Sequence, residues 1–208
     1  MNRINTIDLY TKYAEQFDSR IGSLTQYHQS YTDFVKMAEN TETLLDLACG
    51  PGNVSAFLQK LIPAVSITCV DFSGKMLELA EAKIANGTFY KSDILDIRIP
   101  PKKYGMIVCA FGLPYIAGLQ VGTFVSELNR FAGTGTTVYI SCMQGDRSQY
   151  ETMSFAKDEQ VLVHYHSKES ILDNFEKQGF VLLDYREQDY IEMDGAVTVD
   201  MIFILRKQ

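Results

Sequence analysis

The stretch LLDLACGPGN, Leu44 to Asn53, runs from an apolar segment straight into a glycine–proline–glycine loop. An uninterrupted run of this kind, without the alternation of a half-exposed strand, suits a strand covered on both faces, and such strands belong to parallel sheets flanked by helices. From Val54 to Ile62 the apolar positions Val54, Phe57, Leu58, Leu61 and Ile62 recur at helical spacing until Pro63 stops them. Strand, glycine loop and helix follow one another in the order that brings a helix N-terminus and loop backbone against a ligand. Two glycines can also serve a tight turn alone, so the loop needs further residues to say what, if anything, it holds.

The alternation continues along the chain. VSITCVDF (65–72) reads as a second strand and SGKMLELAEAKIA as a helix, with Ser73 as N-cap and Met76, Leu77, Ala80 and Ile84 on one face. GTFYK (87–91), GMIVCAFG (105–112) and TTVYISCM (136–143) read as further strands, with a helix over 121–131. SDILDIRIPPKKY is too short and proline-rich for a crossover helix and is predicted as loop. Near the end, KESILDNFEKQGF reads as a helix capped by Ser167 and stopped at Gly179. FVLLDYREQDYI and AVTVDMIFILRK flank the hairpin signal Asp194-Gly195. The predicted fold is α/β: a doubly wound, mainly parallel seven-stranded sheet with helices on both faces and a C-terminal antiparallel strand pair. One domain is expected over 1–208, with an N-terminal helical cap (1–40), a binding core (44–143), an insertion covering the site (144–166) and a C-terminal helix and hairpin (167–208).

Charge narrows the partners. Lys and Arg number 19 against 26 Asp and Glu, so 19 − 26 gives −7, and a general binder of phosphate backbones needs the opposite sign. MNRINTIDLYTKYAEQF lacks the apolar core of a signal peptide and no segment is long enough to span a bilayer, so the expected location is the cytosol. Cys49, Cys69, Cys109 and Cys142 are widely spaced within apolar runs and read as buried free thiols, with neither a disulfide nor a zinc site indicated.

Three carboxylates raise the case for a ligand. Asp46 interrupts an apolar strand, and a buried charge needs hydrogen bonds or a function. Asp71 ends the second strand, where a carboxylate accepts hydrogen bonds from both ribose hydroxyls. Asp93, in KSDIL just past the third strand, stands where a side chain could reach an adenine edge. Each has a plainer reading as a loop cap, but they fall in successive loops on one sheet edge. A nicotinamide-dependent oxidoreductase would want G-x-G-x-x-G, whereas GPGNVS carries Ser55 at the third position. Asp46 would also put negative charge near the pyrophosphate. The loop suits a nucleoside with a positive or zwitterionic group better.

In order and spacing, LLDLACGPGN, VDFSGKMLELA, KSDILDI and YGMIVCAFGLPYI resemble the successive motifs of the class I, Rossmann-like S-adenosylmethionine-dependent methyltransferases. The resemblance implies S-adenosylmethionine as cofactor. It implies that Gly50 and Gly52 pass under the methionine and ribose, that Ala48 between them and the strand also binds the cofactor, that Asp46 orients the amino group and that Asp71 binds the ribose hydroxyls. Phe72 and Met76 would lie against adenine, Asp93 would accept from its amino group, and Ile94 backbone would serve its ring nitrogen. Ala110 would offer a carbonyl to the methionine amino group, and Tyr13 resembles an aromatic that closes over the cofactor. The chain departs from the family at Tyr104-Gly105, where F-D is usual, and at RFAGTGT from Arg130. It also lacks the N/D-P-P-Y motif, since GLPY (112–115) keeps only Pro114 and Tyr115, which lowers nucleic acid as a substrate.

The expected activity is methyl transfer to a small-molecule acceptor, in a monomer or homodimer. A non-catalytic sensor or partner subunit binding S-adenosylmethionine is the alternative, followed by a NAD(P)-dependent oxidoreductase. No catalytic residue is assigned. Tyr10, Tyr13 and Phe17 share a helical face that either packs on the sheet or forms a lid. The insertion reads as two strands around AKDE, with His164 and His166 on one strand face. That face is partly exposed surface, a base or a metal pair; His28 has no further support.

Overall fold

The structure, a computed structural model, describes residues 2–22, 24–40, 42–191, 195 and 197–208. It opens with β1 (Asn2–Arg3), α1 (Thr6–Lys12), α2 (Ala14–Ile21) and α3 (His28–Met37). The core follows as β2 (Thr43–Leu47), α4 (Asn53–Leu61), β3 (Ser66–Asp71), α5 (Gly74–Glu81), β4 (Thr88–Lys91), β5 (Tyr104–Ala110), α6 (Val121–Asn129) and β6 (Ala132–Met143). Then come β7 (Ser148–Thr152), β8 (Glu159–His164), α7 (Lys168–Lys177), β9 (Phe180–Ile191) and β10 (Val197–Lys207).

The main sheet has seven strands in the order β4-β3-β2-β5-β6-β10-β9. The first five are parallel, and β10 runs antiparallel to both β6 and β9. From β2 the chain winds outward through β3 and β4, then returns to β5 and winds the other way. The strand order therefore reverses between β2 and β5, and the crevice beyond their carboxyl ends is where open α/β sheets take ligands. Successive side chains point to opposite faces, so each strand feeds two cores. Leu45, Leu47, Ile107 and Val138 pack with α6 and α7, while Leu44, Met106, Val108 and Tyr139 pack with α3, α4 and α5. Asp46 falls on the second of these faces. All four cysteines are buried and free, as predicted.

Local signals explain the ends. Ser73 caps α5 by accepting from Met76 N, and Ser167 caps α7 by accepting from Ser170 N. Gly179 stops α7 with φ +73°. β2 ends at Leu47 because Ala48 turns left-handed, at φ +56°. Within the hairpin signal, Asp194 lies outside the described residues; Gly195 has φ +85°, and the strands rejoin with Ile191 opposite Val197.

Two features depart from the sequence reading. The leading helix is not continuous: Tyr13, at φ −111° and ψ 25°, ends α1 and begins α2. No Gly or Pro marks the break. A second sheet, ordered β1-β8-β7, joins the start of the chain to the insertion through parallel pairing of Asn2 with Glu159 and Arg3 with Gln160. Leu9, Tyr10, Ala14 and Met76 pack with Val161, Val163 and Tyr165 beneath it, so α1 sits between the insertion and the core. Among the described residues no helix is long and apolar enough to cross a membrane.

Candidate active site

A cavity of about 680 Å³ lies over the carboxyl edge of the main sheet, within the about 300–1,000 Å³ usual for small-molecule sites. Its two ends differ in chemistry. Over β2, β3 and β5 the wall is Ala48, Cys49, Gly50, Asp71, Phe72 and Ala110, with Met76 beside them. Over β6, β10 and β9 it is Met143, Asp200 and Tyr190, together with Tyr27, the residue before α3, and His28 and Tyr31 of α3.

Asp71 dominates the first end. It ends β3, and its carboxylate accepts from Gly50 N at 2.9 Å and from Ser73 N at 2.9 Å, one oxygen each. These two amides hold the carboxylate rigidly at the wall, where its remaining acceptor positions can meet a pair of hydroxyls. Burial pushes its pKa up to about 6, against the pull of the amides of Ser73, Gly50 and Phe72. Gly50, at φ +53°, presents bare backbone: a Cβ there would point into open cavity and meet only Phe17 Cε1, at 3.7 Å. A carboxylate acceptor beside a backbone cradle that a side chain would fill is a fit for the ribose and its neighbouring chain in a nucleoside.

Asp46 lies behind the wall, not in it. It is 1% exposed and accepts a hydrogen bond from Ser55 Oγ at 2.6 Å, so the serine standing at the third glycine position is the partner that makes a carboxylate in β2 tolerable. Burial pushes the Asp46 carboxyl up to about 7; Ser55 opposes this and the charge of Asp71 adds to it. A folded pKa above the ordinary 3.8 means that the folded state binds the proton more tightly than the unfolded one. This contribution to stability is therefore complete below the unfolded pKa and is lost as pH rises through about 7. Wild type is expected to lose stability relative to Asp46→Asn between about pH 4 and pH 7. Urea unfolding checks it, and a pH-independent gap between the two proteins would contradict it.

Gly52 also stands behind the wall. A Cβ there would come within 2.9 Å of Ala80 Cα, Ala80 Cβ and Ile84 Cδ1, so its role is close packing of the loop on α5. Asp93 and Ile94 lie outside the wall as well. Asp93 is exposed and turns its carboxylate back to accept from Leu95 N at 2.8 Å, the plainer loop-cap reading. Ile94 packs against the core on the α6 side of the sheet. Tyr13 is carried away by the helix break and lies under Lys12 Nζ, 4.9 Å from its ring centroid. The aromatic above the glycine loop is Phe17, whose ring packs edge-on against Tyr10 at 4.9 Å and Phe155 at 5.1 Å.

Neither strand histidine lines the cavity. His164 Nδ1 shares a 2.7 Å hydrogen bond with Ser148 Oγ. His166 is buried, not surface: its Nε2–H donates to the Leu113 carbonyl at 2.9 Å, and burial lowers its pKa. It pins the turn after β5 to the end of β8. His28, by contrast, is in the wall, stacked on Phe57 with centroids 4.1 Å apart.

Sequence reasoning missed most of the second end. Tyr27, Tyr31 and Asp200 sit in amphipathic stretches whose apolar neighbours mask them, and only the turn of α3 against β10 brings them together. Tyr27 donates to Asp200 Oδ2 at 2.6 Å, both buried. The roof comes from Glu151 of β7 and from Met153 and Phe155 after it, with Tyr10 and Tyr115 bonded through their hydroxyls below it. At the mouth Asp18 of α2 accepts from Lys83 and from Asn53 Nδ2, tying the leading helices to α4 and α5.

The doubly wound sheet, the left-handed glycine loop and the carboxylate ending β3 make up an α/β fold of the Rossmann-like class, with a site whose chemistry fits a nucleoside. Residues 44–135 match the family profile described as "Methyltransferase domain". Demethylmenaquinone methyltransferase of Thermotoga maritima is 33% identical over 109 residues, half of this chain and 47% of that protein. Trans-aconitate 2-methyltransferase of Escherichia coli is 43% identical over 56 residues, 27% of this chain and 22% of the other. The chain thus spans about half the length, or less, of the curated relatives it matches. In fold, an S-adenosylmethionine-dependent methyltransferase from Clostridium acetobutylicum superposes with a TM-score of 0.70 over 96% of this chain and 99% of that one, at 17% identity. Magnesium protoporphyrin IX methyltransferase from Synechocystis, with S-adenosylmethionine bound, gives 0.67 over 92% and 82%, also at 17% identity. Residues 44–135 thus carry a methyltransferase-domain profile on a fold shared with solved S-adenosylmethionine-dependent methyltransferases.

Proposed function

We propose that this protein transfers the methyl group of S-adenosylmethionine to a small-molecule acceptor held at the aromatic end of the cavity. The observation that carries the reading is the Asp71 carboxylate, pinned by Gly50 N and Ser73 N at the wall of a cavity that continues into a second compartment. Asp71 would hold the ribose hydroxyls, Phe72 and Met76 the adenine, and Ala48, Gly50 and Ala110 the methionine chain. The cofactor supplies a methyl group already activated by its sulfonium. The protein's work is then alignment and exclusion of water. Phe17, Tyr10 and Phe155 close the top of the cavity with apolar rings, and the strand pair β7–β8 would cover the acceptor.

The size of the cavity, the net charge of −7 and the absence of an N/D-P-P-Y motif favour a metabolite over nucleic acid. The names of the two curated relatives, acting on demethylmenaquinone and trans-aconitate, support the same class of acceptor. Calorimetry with S-adenosylmethionine and S-adenosylhomocysteine is expected to show binding of both, and labelled methyl transfer to follow in a screen of amines, phenols, thiols and carboxylates. Absence of binding sinks the proposal; binding without transfer to any acceptor makes the protein a sensor.

A further inference from the structure

The small sheet over the cavity turns a mostly apolar face down onto it, and two glutamates stand in that face. Directly opposed residues of an antiparallel pair share a face, and Glu151 of β7 stands opposite Val161 of β8. Side chains alternate along a strand, so Glu159, Val161, Val163 and Tyr165 look the same way, and the last three pack with Leu9, Tyr10 and Met76. Glu159 has a cation, Lys12 Nζ at 2.6 Å. Glu151 forms no ion pair among the described residues, and it reaches the cavity wall together with Val163. It is the one half-buried residue of β7, whose other four are exposed.

Glu151 is nevertheless held in place. Its Oε1 accepts from Tyr165 Oη at 2.5 Å and from Gln149 Nε2 at 2.9 Å, while among the described residues nothing donates to Oε2. Tyr165 is itself fixed. Its ring lies under the Arg147 guanidinium, with Cζ 4.4 Å from the centroid, and a Cβ on Gly145 would come within 2.8 Å of Tyr165 Cβ. Burial first, then Glu151, push the Tyr165 phenol up to about 12 against the pull of Arg147, so its proton stays in place and is donated to the carboxylate. Tyr115, in the turn that follows Ala110 and Phe111, stands within electrostatic reach. Burial pushes its phenol up to about 12, the Tyr10 hydroxyl opposes this and the charge of Glu151 adds to it. A carboxylate with one oxygen braced and the other open rewards a hydrogen-bond donor, a charged one most, and repels an anion. The packed rings of Tyr10, Phe17 and Phe155 beside it reward a flat or cationic partner.

We propose that Glu151 selects the methyl acceptor, taking an N–H or O–H donor of a ring-bearing molecule on its open carboxylate oxygen and turning carboxylates away. This rests on the methyl-transfer reading for its purpose but not for its test. The competing choice is an anion drawn to Lys60, which lines the same cavity from the last turn of α4.

The test uses the full chain at about 0.15 M salt, where exposed charges more than about 8 Å apart are screened, with and without saturating S-adenosylhomocysteine. The probes are 2-phenylethylamine, 2-phenylethanol and phenylacetate, titrated by ligand-observed NMR. The amine is expected to bind at least about tenfold tighter than phenylacetate. Glu151→Gln should abolish that advantage, and Tyr165→Phe, which unbraces the carboxylate, should reduce it. Glu81→Gln removes the same charge from an exposed position at the end of α5 and should leave the advantage intact, which separates a contact from the net charge of the protein. A thermal melt like that of wild type shows that each variant is folded. Phenylacetate binding as tightly as the amine, no binding of the amine, or an advantage that survives Glu151→Gln overturns the proposal. Failure of S-adenosylhomocysteine to bind wild type refutes the cofactor reading instead, and the probe titrations without it still decide this one.

Discussion

Replacing Asp71 with alanine is expected to weaken S-adenosylhomocysteine binding by at least about 100-fold. Hydrogen bonds to a charged group contribute about 1.5–3 kcal/mol each, and a ribose offers two, so about 3–6 kcal/mol is at stake, or about two to four powers of ten. The variant also strands Gly50 N and Ser73 N, which both donate to this carboxylate, so the loop that forms the cradle loses its anchor at the same time. Asp71→Asn separates the two effects. Its amide oxygen can still accept from one loop amide, but it lacks the charge and one acceptor, so its loss should be intermediate. Calorimetry at about pH 7.5 keeps wild-type Asp71 ionised, given a pKa near 6. A loss below about tenfold for Asp71→Ala would remove Asp71 from the binding site, and the carrying observation of the proposed function with it.

How much of this was legible in the chain depends on the range of the interaction. The seven-stranded sheet was legible because its strands and helices announce themselves through local periodicity and caps, as at Ser73, Ser167 and Gly179. That Asp71 and Gly50 stand together at the cavity wall was legible because a strand end and a glycine loop are sequence-local. What failed was whatever depends on which partner a side chain finds, or where a helix breaks, near or far along the chain. Asp46 drew attention as a charge in an apolar strand, but its partner Ser55 was read only as a missing glycine. Asp93 was expected at the adenine, yet its carboxylate is consumed two residues on at Leu95 N, and an Asx turn looks identical to a ligand contact in sequence. Tyr13 was placed on one face with Tyr10 and Phe17 by assuming an unbroken helix; the break at Tyr13 leaves Phe17 to cover the loop. The Tyr27–Asp200 pair spans 173 positions, and no pattern in either segment points to the other.

The two glycines of the loop, alike in sequence, should fail in opposite ways, and Gly52→Ala carries the larger stability effect. At φ +79° any side chain adds about 1–2 kcal/mol of backbone strain. The new Cβ would also stand 2.9 Å from Ala80 Cα, a backbone atom of α5 that cannot rotate away, which adds about 1–3 kcal/mol of overpacking. Together these give about 2–5 kcal/mol, and at about 2–4 °C per kcal/mol for a chain of this size the melting temperature should fall by about 5–20 °C. Gly50→Ala bears the same kind of backbone strain at φ +53°, but its Cβ meets only Phe17 Cε1 at 3.7 Å, so about 1–2 kcal/mol is the whole expected cost. Its methyl group instead enters the cradle beside Asp71, where it should displace the bound nucleoside. Thermal melts and S-adenosylhomocysteine titrations of both variants give a crossed result: Gly52→Ala melts lower yet binds when folded, whereas Gly50→Ala stays stable and binds poorly. Should Gly50→Ala prove the less stable of the two, or bind as wild type does, the division of the loop into a packing glycine and a ligand-facing glycine is wrong.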